Sequence, residues 1–394
     1  MTPRTPVPRK KSCNNCSKAK VRCDLGRPAC TRCKKRGGYC EYVDAKDSEQ
    51  EVSSSTTQDE YNSIDGSTSV LNQAQYNAVP LMLGTVLSTP APAEILDFEN
   101  VQLVRTVDDY RIRARWLESV LPSAHQTPKD FAPTTMAFVS DVFKSYPGIF
   151  LAENSLPPFI HWAQVSGKMC EALANCMNLA RMWETQAGGT EAMVCGIIEK
   201  EMARLFQQET HCSDLELLAT LQAYLLLTIM LFFTSRSGTN FIEQDTIIRL
   251  QELAGDVANK GTLCLAETNG ARPDWESWII ASAKRRTLFA TYLFDNLVSF
   301  TLGSPSFIAT ELASLPAPAS KRLWNAQTRL SWNATYNQQL SQCADGELLI
   351  SHLWPSPDSG TPEQQRKVRR WLSSVDEFGI MLYSVTSHTY GKQA

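Results

Sequence analysis

Three observations predict a mainly α chain in three parts. Six cysteines crowd between residues 13 and 40 of the 394-residue sequence. A polar, acidic, Ser- and Thr-rich stretch begins at Asp44. From about residue 94 onward, apolar residues recur at spacings of three and four, the period of a helix packed on one face. The expected architecture is a small metal-folded module with two short helices, then a disordered linker, then an all-α multi-helix domain. The expected boundaries are 1–12 for a basic N-terminal arm, 13–43 for the cysteine module, 44–93 for the linker and 94–394 for the helical domain.

The cysteines run Cys13, Cys16, Cys23, Cys30, Cys33 and Cys40, and a shift of 17 positions maps the first three onto the last three. Each half supplies three thiols, one too few for a tetrahedral zinc site. Two halves can enclose two Zn²⁺ if two sulfurs bridge both metals. A C-x2-C pair sets two sulfurs on one side of a single helical turn, where they chelate one ion. The third thiol of each half returns six residues later to close the cage.

The surroundings of these cysteines are basic. Residues 1–43 hold twelve Lys or Arg against Asp24 and Glu41, a net +10, so the remainder carries −13 of the total −3. Six thiolates and two Zn²⁺ would leave about +8 on the module. Charge of that density steers a protein toward polyanions and makes binding salt-dependent. The two parts nearly cancel, which hides the basic module behind an isoelectric point near 6.0.

On these residues the region 13–42 resembles the fungal Zn2Cys6 binuclear cluster DNA-binding module. The likeness includes the spacing, the basic stretch between Cys16 and Cys23, Pro28 before Cys30, and Tyr42 after Cys40. The resemblance implies a transcription factor that reads CGG-like triplets in double-stranded DNA. It implies that Cys13 and Cys30 bridge two zinc ions and that the end of the first short helix enters the major groove. Lys20 then falls where the family places its principal base-reading lysine, facing guanine O6 and N7. Lys18 and Arg22 flank it and grip phosphates. Arg9, Lys10 and Lys11 form a basic arm that contacts DNA or addresses the nucleus, as does Lys34-Lys35-Arg36. Position 19 is alanine, where many members carry a second basic residue.

Other readings of six cysteines fit less well. A disulfide framework belongs to secreted chains, whereas the N-terminal MTPRTPVPRKK is polar, basic and Pro-rich. A protein-binding zinc adaptor is the main alternative, with the basic patch incidental. The remaining cysteines, Cys170, Cys176, Cys195, Cys212, Cys264 and Cys343, sit in apolar patterns and read as buried reduced thiols.

The linker lacks the apolar density for a core. It also lacks the sustained heptads that would mark a coiled coil, and Pro80, Pro90 and Pro92 oppose a long helix. If the protein dimerises, the C-terminal domain is expected to do it.

In the last part, residues 160–185 place Val165, Met169, Leu173, Met177 and Ala180 on one helical face. Thr190 is positioned to cap a helix with the stripe Val194, Ile197, Ile198, Met202, Leu205 and Phe206. Ser213 and Glu216 form a capping-box signature for a helix running to about Phe233. That helix is apolar enough to raise a membrane span, but its polar insertions fit a buried core helix better. Residues 241–258 predict a helix ending near Gly261, Asp274 caps a long one through Phe300, and a final helix follows Pro362. The sum is eight or more helices and no run of strands.

This part also resembles, more loosely, the regulatory domain of fungal zinc-cluster regulators, in segments such as Leu156–His161, Glu216–Ala223, Lys284–Thr287, Leu315–Pro318 and Leu323–Ala326. Such regulators often activate secondary-metabolite gene clusters. The resemblance implies a domain that answers to a partner or small ligand and recruits the transcription machinery. Lys284-Arg285-Arg286 reads equally well as a solvated helical face. The sequence holds no G-x-S-x-G, Walker or H-E-x-x-H motif, so no enzymatic role is expected. The expected partners are DNA and two Zn²⁺, with no membrane, in the nucleus.

Overall fold

The computed structural model describes residues 12–13, 16, 21–26, 29–36 and 40, then 85–86, then most of the chain from 96 to 387. Short stretches at 123–125, 127, 208–212, 235–241, 343–345 and 355–360 lie outside the described residues, as does the segment from 388. The expected linker also lies outside them, apart from Thr85 and Val86. The chain divides into two compact units, Met1–Tyr76 and Asn77–Ala394.

In the first unit the described helix is α1, Thr31–Lys35, which opens directly after Cys30 and buries Cys33. The second expected short helix falls largely on residues outside those described, although Cys16 is helical.

Helices dominate the second unit. Asp109–Arg113 (α2) and Arg115–Glu118 (α3) lead into Pro133–Leu151 (α4), which starts on a proline. Glu171–Glu184 (α5), Glu191–Gln207 (α6), Asp214–Phe233 (α7) and Gln244–Asn259 (α8) follow. After the short Leu265–Thr268 (α9) comes Trp275–Thr301 (α10), and then Lys321–Trp324 (α11) and Arg329–Gln342 (α12). Pro362–Leu372 (α13) and Glu377–Ser387 (α14) close the described domain. The strands among the described residues form two antiparallel pairs of two residues each. Thr85–Val86 (β1) pairs with Ser155–Leu156 (β3), and Leu103–Val104 (β2) pairs with Leu263–Cys264 (β4).

Two helices make the core. Beyond its first turn α7 is apolar around most of its circumference, with Thr220, Gln222 and Thr228 as buried exceptions, and it packs against α4, α5, α6, α8 and α10. It is long and apolar enough to cross a bilayer, yet 78% of its most apolar stretch is buried inside the domain. Its start is the capping box read from the sequence. The Ser213 hydroxyl accepts from the Glu216 amide at 3.3 Å, and the Glu216 carboxylate accepts from the Ser213 amide at 3.0 Å. Ser213→Ala therefore lowers stability by about 1 kcal/mol, to be checked by urea unfolding followed by circular dichroism. α10 opens on Asp274, whose carboxylate accepts from the Ser277 amide at 2.7 Å.

Two glycines let helices approach or stop. A Cβ on Gly255 of α8 would lie 2.6 Å from Arg113 Cγ. Its absence lets the Arg113 guanidinium reach Glu252 and Asp256 at 2.7 and 2.8 Å. Gly261, at φ +97°, ends α8 in the left-handed region and touches Leu103.

Several expectations need correction. The helix read over 160–185 begins only at Glu171, because residues 162–164 form a 3₁₀ turn with its own side-chain bonds. There His161 Nδ1 accepts from the Ala163 amide and Gln164 Oε1 accepts from the His161 amide. His161 is fully buried, and its Nε2 donates to the Trp324 carbonyl at 3.0 Å. Burial pushes its imidazole down to about 3, so the ring is neutral. Thr190 holds the position before α6, its carbonyl accepting from the Val194 amide at 3.0 Å, while its hydroxyl donates back to Ala187 O at 2.7 Å. The helix after Pro362 is followed by α14, so it is not the last.

The solvated-face reading of Lys284-Arg285-Arg286 also fails, because all three are buried. Consecutive helical residues point about 100° apart, so the three fan out to three different segments. Lys284 reaches Asp214 and the Gly261 carbonyl. Arg285 pairs with Glu267 at 3.1 Å. Arg286 pairs with Asp376 at 2.7 Å, donates to the Pro158 carbonyl at 3.0 Å and lies over the Trp324 ring.

Candidate metal centre and nucleic-acid interface

The apolar core of the first unit, among the described residues, consists of the six cysteines. Cys13, Cys16, Cys30 and Cys33 are buried, while Cys23 and Cys40 are half-buried. The local chain explains the convergence. Cys30 and Cys33 bracket the first turn of α1, and the Cys16 carbonyl accepts from the Val21 amide at 3.1 Å.

The sulfurs form two overlapping groups, Cys13-Cys16-Cys23-Cys30 and Cys13-Cys30-Cys33-Cys40, each with all sulfurs within 4.8 Å of one another. Cys13 and Cys30 belong to both. The Sγ–Sγ distances are 3.8 Å for Cys13–Cys30 and Cys13–Cys33, and 3.7 Å for Cys16–Cys30. Two sulfurs bound tetrahedrally to one zinc, each about 2.3 Å from it, lie about 3.8 Å apart. The donor set therefore fits two zinc ions in spacing as well as in chemistry.

The thiols are poised for a cation. Burial pushes Cys16 well up, and hydrogen bonding to Cys30, together with burial, pushes Cys33 up to about 12. Backbone N–H groups pull Cys30 and Cys40 down. Crowded sulfurs of this kind become thiolates together only when a metal supplies the compensating charge.

A carboxylate that the sequence reading counted only as charge ties the two halves together. Asp24 follows Cys23, and both of its oxygens accept from the Thr31 amide at 3.2 Å at the start of α1. The Thr31 hydroxyl and amide hold this carboxyl below the usual range. An acid seven residues before the second C-x2-C turn was the available signal. Leu25, next along, takes φ +58°, which turns the chain back toward the second half.

The basic side chains divide. Arg22, Lys34, Lys35 and Arg36 are exposed around the sulfur cluster. Lys18, Lys20, Arg9, Lys10 and Lys11 lie outside the described residues.

Six thiols in two groups that share two sulfurs, on a small and strongly basic unit, define a zinc-cluster DNA-binding module. Comparison with known proteins agrees at both ends of the chain. Residues 11–49 match the fungal Zn(2)-Cys(6) binuclear cluster domain, and residues 198–387 match the fungal specific transcription factor domain. The chain belongs to the fungal Zn2Cys6 transcription factor family and binds two zinc ions. It is similar to the transcription factor gsfR2 of Penicillium aethiopicum, with 22% identity over 356 residues covering 84% of each chain. No solved structure matches it significantly.

Proposed function

We propose that this transcription factor reads CGG-like triplets in the major groove through Lys20 and activates a fungal secondary-metabolite gene cluster. The observation that carries the reading is the pair of four-sulfur groups sharing Cys13 and Cys30. In it, Cys13 and Cys30 would be shared by two metals, with Cys16 and Cys23 holding one and Cys33 and Cys40 the other. Zinc supplies the fixed charge and cross-links that hold so small a unit folded. Around that cage, Lys18 and Arg22 contact phosphates, as do the arm Arg9-Lys10-Lys11 and the exposed Lys34, Lys35 and Arg36. The work of the module requires the nucleus. The helical domain acts as the regulatory part, pairing two copies if the protein dimerises, and recruiting the transcription machinery. The family resemblance and the likeness to a named transcription factor support this assignment.

Selection of bound duplexes from a random pool by the zinc-loaded full-length chain tests it. Enrichment of a G·C-rich triplet is expected. Lys20→Ala should cost about 1–3 kcal/mol and relax the preference at one guanine. Uniform, salt-sensitive binding without enrichment would favour a zinc-stabilised protein adaptor instead.

A further inference from the structure

We propose that the helical domain binds a small aromatic acid, an anion on a flat apolar body, in the cavity bordered by α11, α12 and α13. The cavity has a volume of about 990 Å³, the size that accommodates a drug-sized ligand. Its apolar lining includes Trp278 of α10, Trp371 of α13 and the stretch Pro316 to Ala319.

α12 supplies the first argument. Ser331, Thr335, Gln338, Gln339 and Gln342 all line the cavity. They fall at i, i+4, i+7, i+8 and i+11, which is one helical face. A helix normally turns an apolar stripe inward, and α12 does so with Trp332 and Tyr336, which are buried. Its second, polar stripe faces a void and offers amides and hydroxyls suited to oxygen substituents on a ligand.

Charge supplies the second. Five basic residues line the cavity against two acids, Glu267 and Glu347. Arg285 is neutralised by Glu267 at 3.1 Å, and Lys321 by Glu377 at 2.6 Å. Lys367 stands 4.0 Å from Glu363. Arg322 and Arg370 have no acidic partner among the described residues, and Arg370 donates only to the Gln342 carbonyl. Both are exposed and line the cavity, so each offers a guanidinium fork to a carboxylate or sulfonate. Burial and the neighbouring Glu267 raise the carboxyl of the half-buried Glu347 to about 7. Near neutrality it can therefore donate to a ligand oxygen as well as accept from one. An anionic end at the exposed arginines, an apolar body along the Pro316 to Ala319 stretch beside the largely buried Trp278 and Trp371, and an oxygen substituent at Glu347 match these three regions.

The proposal deepens the regulatory role given to this domain, but its test is a binding measurement that does not pass through DNA. The full-length zinc-loaded chain is titrated with 8-anilinonaphthalene-1-sulfonate, followed by fluorescence. One saturable site is expected, displaced by 2-naphthoate and at least tenfold less well by 2-naphthylmethylamine. R322E/R370E, at two exposed positions, should weaken binding at least tenfold with an unchanged circular dichroism spectrum. Ala319→Trp, which puts a bulky side chain on the cavity lining, should weaken it further. Absence of saturable binding, equal displacement by the amine, or undiminished binding by R322E/R370E would overturn the proposal. If Ala319→Trp fails to fold, the charge-reversed variant and the competitor pair still decide.

Discussion

Cys30→Ser is expected to empty both metal positions at once and abolish specific DNA binding, whereas Cys16→Ser or Cys40→Ser empties one. Cys13 and Cys30 each belong to both four-sulfur groups, while the other four thiols each belong to one. Loss of a shared sulfur leaves two groups of three, neither of which completes a tetrahedron. The effect is large because the cage replaces a hydrophobic core in this unit. Binding of structural zinc is worth about 10–16 kcal/mol in small zinc-folded peptides. Zinc content by native mass spectrometry of the full chain checks the prediction: none for Cys30→Ser or Cys13→Ser, about half the wild-type content for Cys16→Ser. Equal losses for all six substitutions would remove the distinction between shared and unshared sulfurs. Chelation of the wild-type chain should likewise end DNA binding, while the circular dichroism of the helical domain stays nearly unchanged.

Arg286→Ala should destabilise the helical domain by about 3–5 kcal/mol, the cost of leaving a buried carboxylate without its partner. Arg286 is 1% exposed and Asp376 6% exposed, at 2.7 Å from each other. The guanidinium also holds the Pro158 carbonyl and stacks over Trp324, so the one side chain joins α10 to three other segments. Arg286→Lys should restore part of the loss, since the one nitrogen Nη1 meets both acceptors and an ammonium can copy that, but an ammonium does not stack flat on an indole. The double change Arg286→Met with Asp376→Asn should recover part of the loss, by removing both charges while keeping the acceptor for the buried Gly379 amide. Urea unfolding monitored by circular dichroism separates these outcomes.

Patterns confined to one element were the legible ones. The capping signals at Ser213 and Asp274 depend on residues three apart, and both are realised as hydrogen bonds. The cysteine spacing was equally local, and its repeat announced shared sulfurs before any coordinate did. Long-range partners decided the features that were missed. Nothing within Lys284-Arg285-Arg286 reveals that Asp214, Glu267 and Asp376 will meet them from distant parts of the chain. The apolar rhythm read through residues 160–170 has Val165 and Met169 half-buried against the core, while Ile160 and Trp162 are buried deeper. It reflects an irregular segment threaded into the core, where side-chain bonds from His161 and Gln164 replace helical ones. The polar stripe of α12 reads in isolation as a solvent face, and only the surrounding helices turn it into the wall of a cavity.

The apolarity of α7 around most of its circumference sets how this protein tolerates truncation. A helix with one greasy side can survive the loss of a neighbour by turning that side to another surface. α7 has no broad polar side to turn to water, because α4, α5, α6, α8 and α10 together form its surroundings. A product that stops before α10, from a premature stop codon or a proteolytic nick, would leave a 20-residue apolar rod uncovered. Such a fragment is expected to aggregate or be captured by the protein-quality-control machinery. Deletions inside this domain should therefore behave as loss of the whole polypeptide, even when the zinc-binding end is left intact.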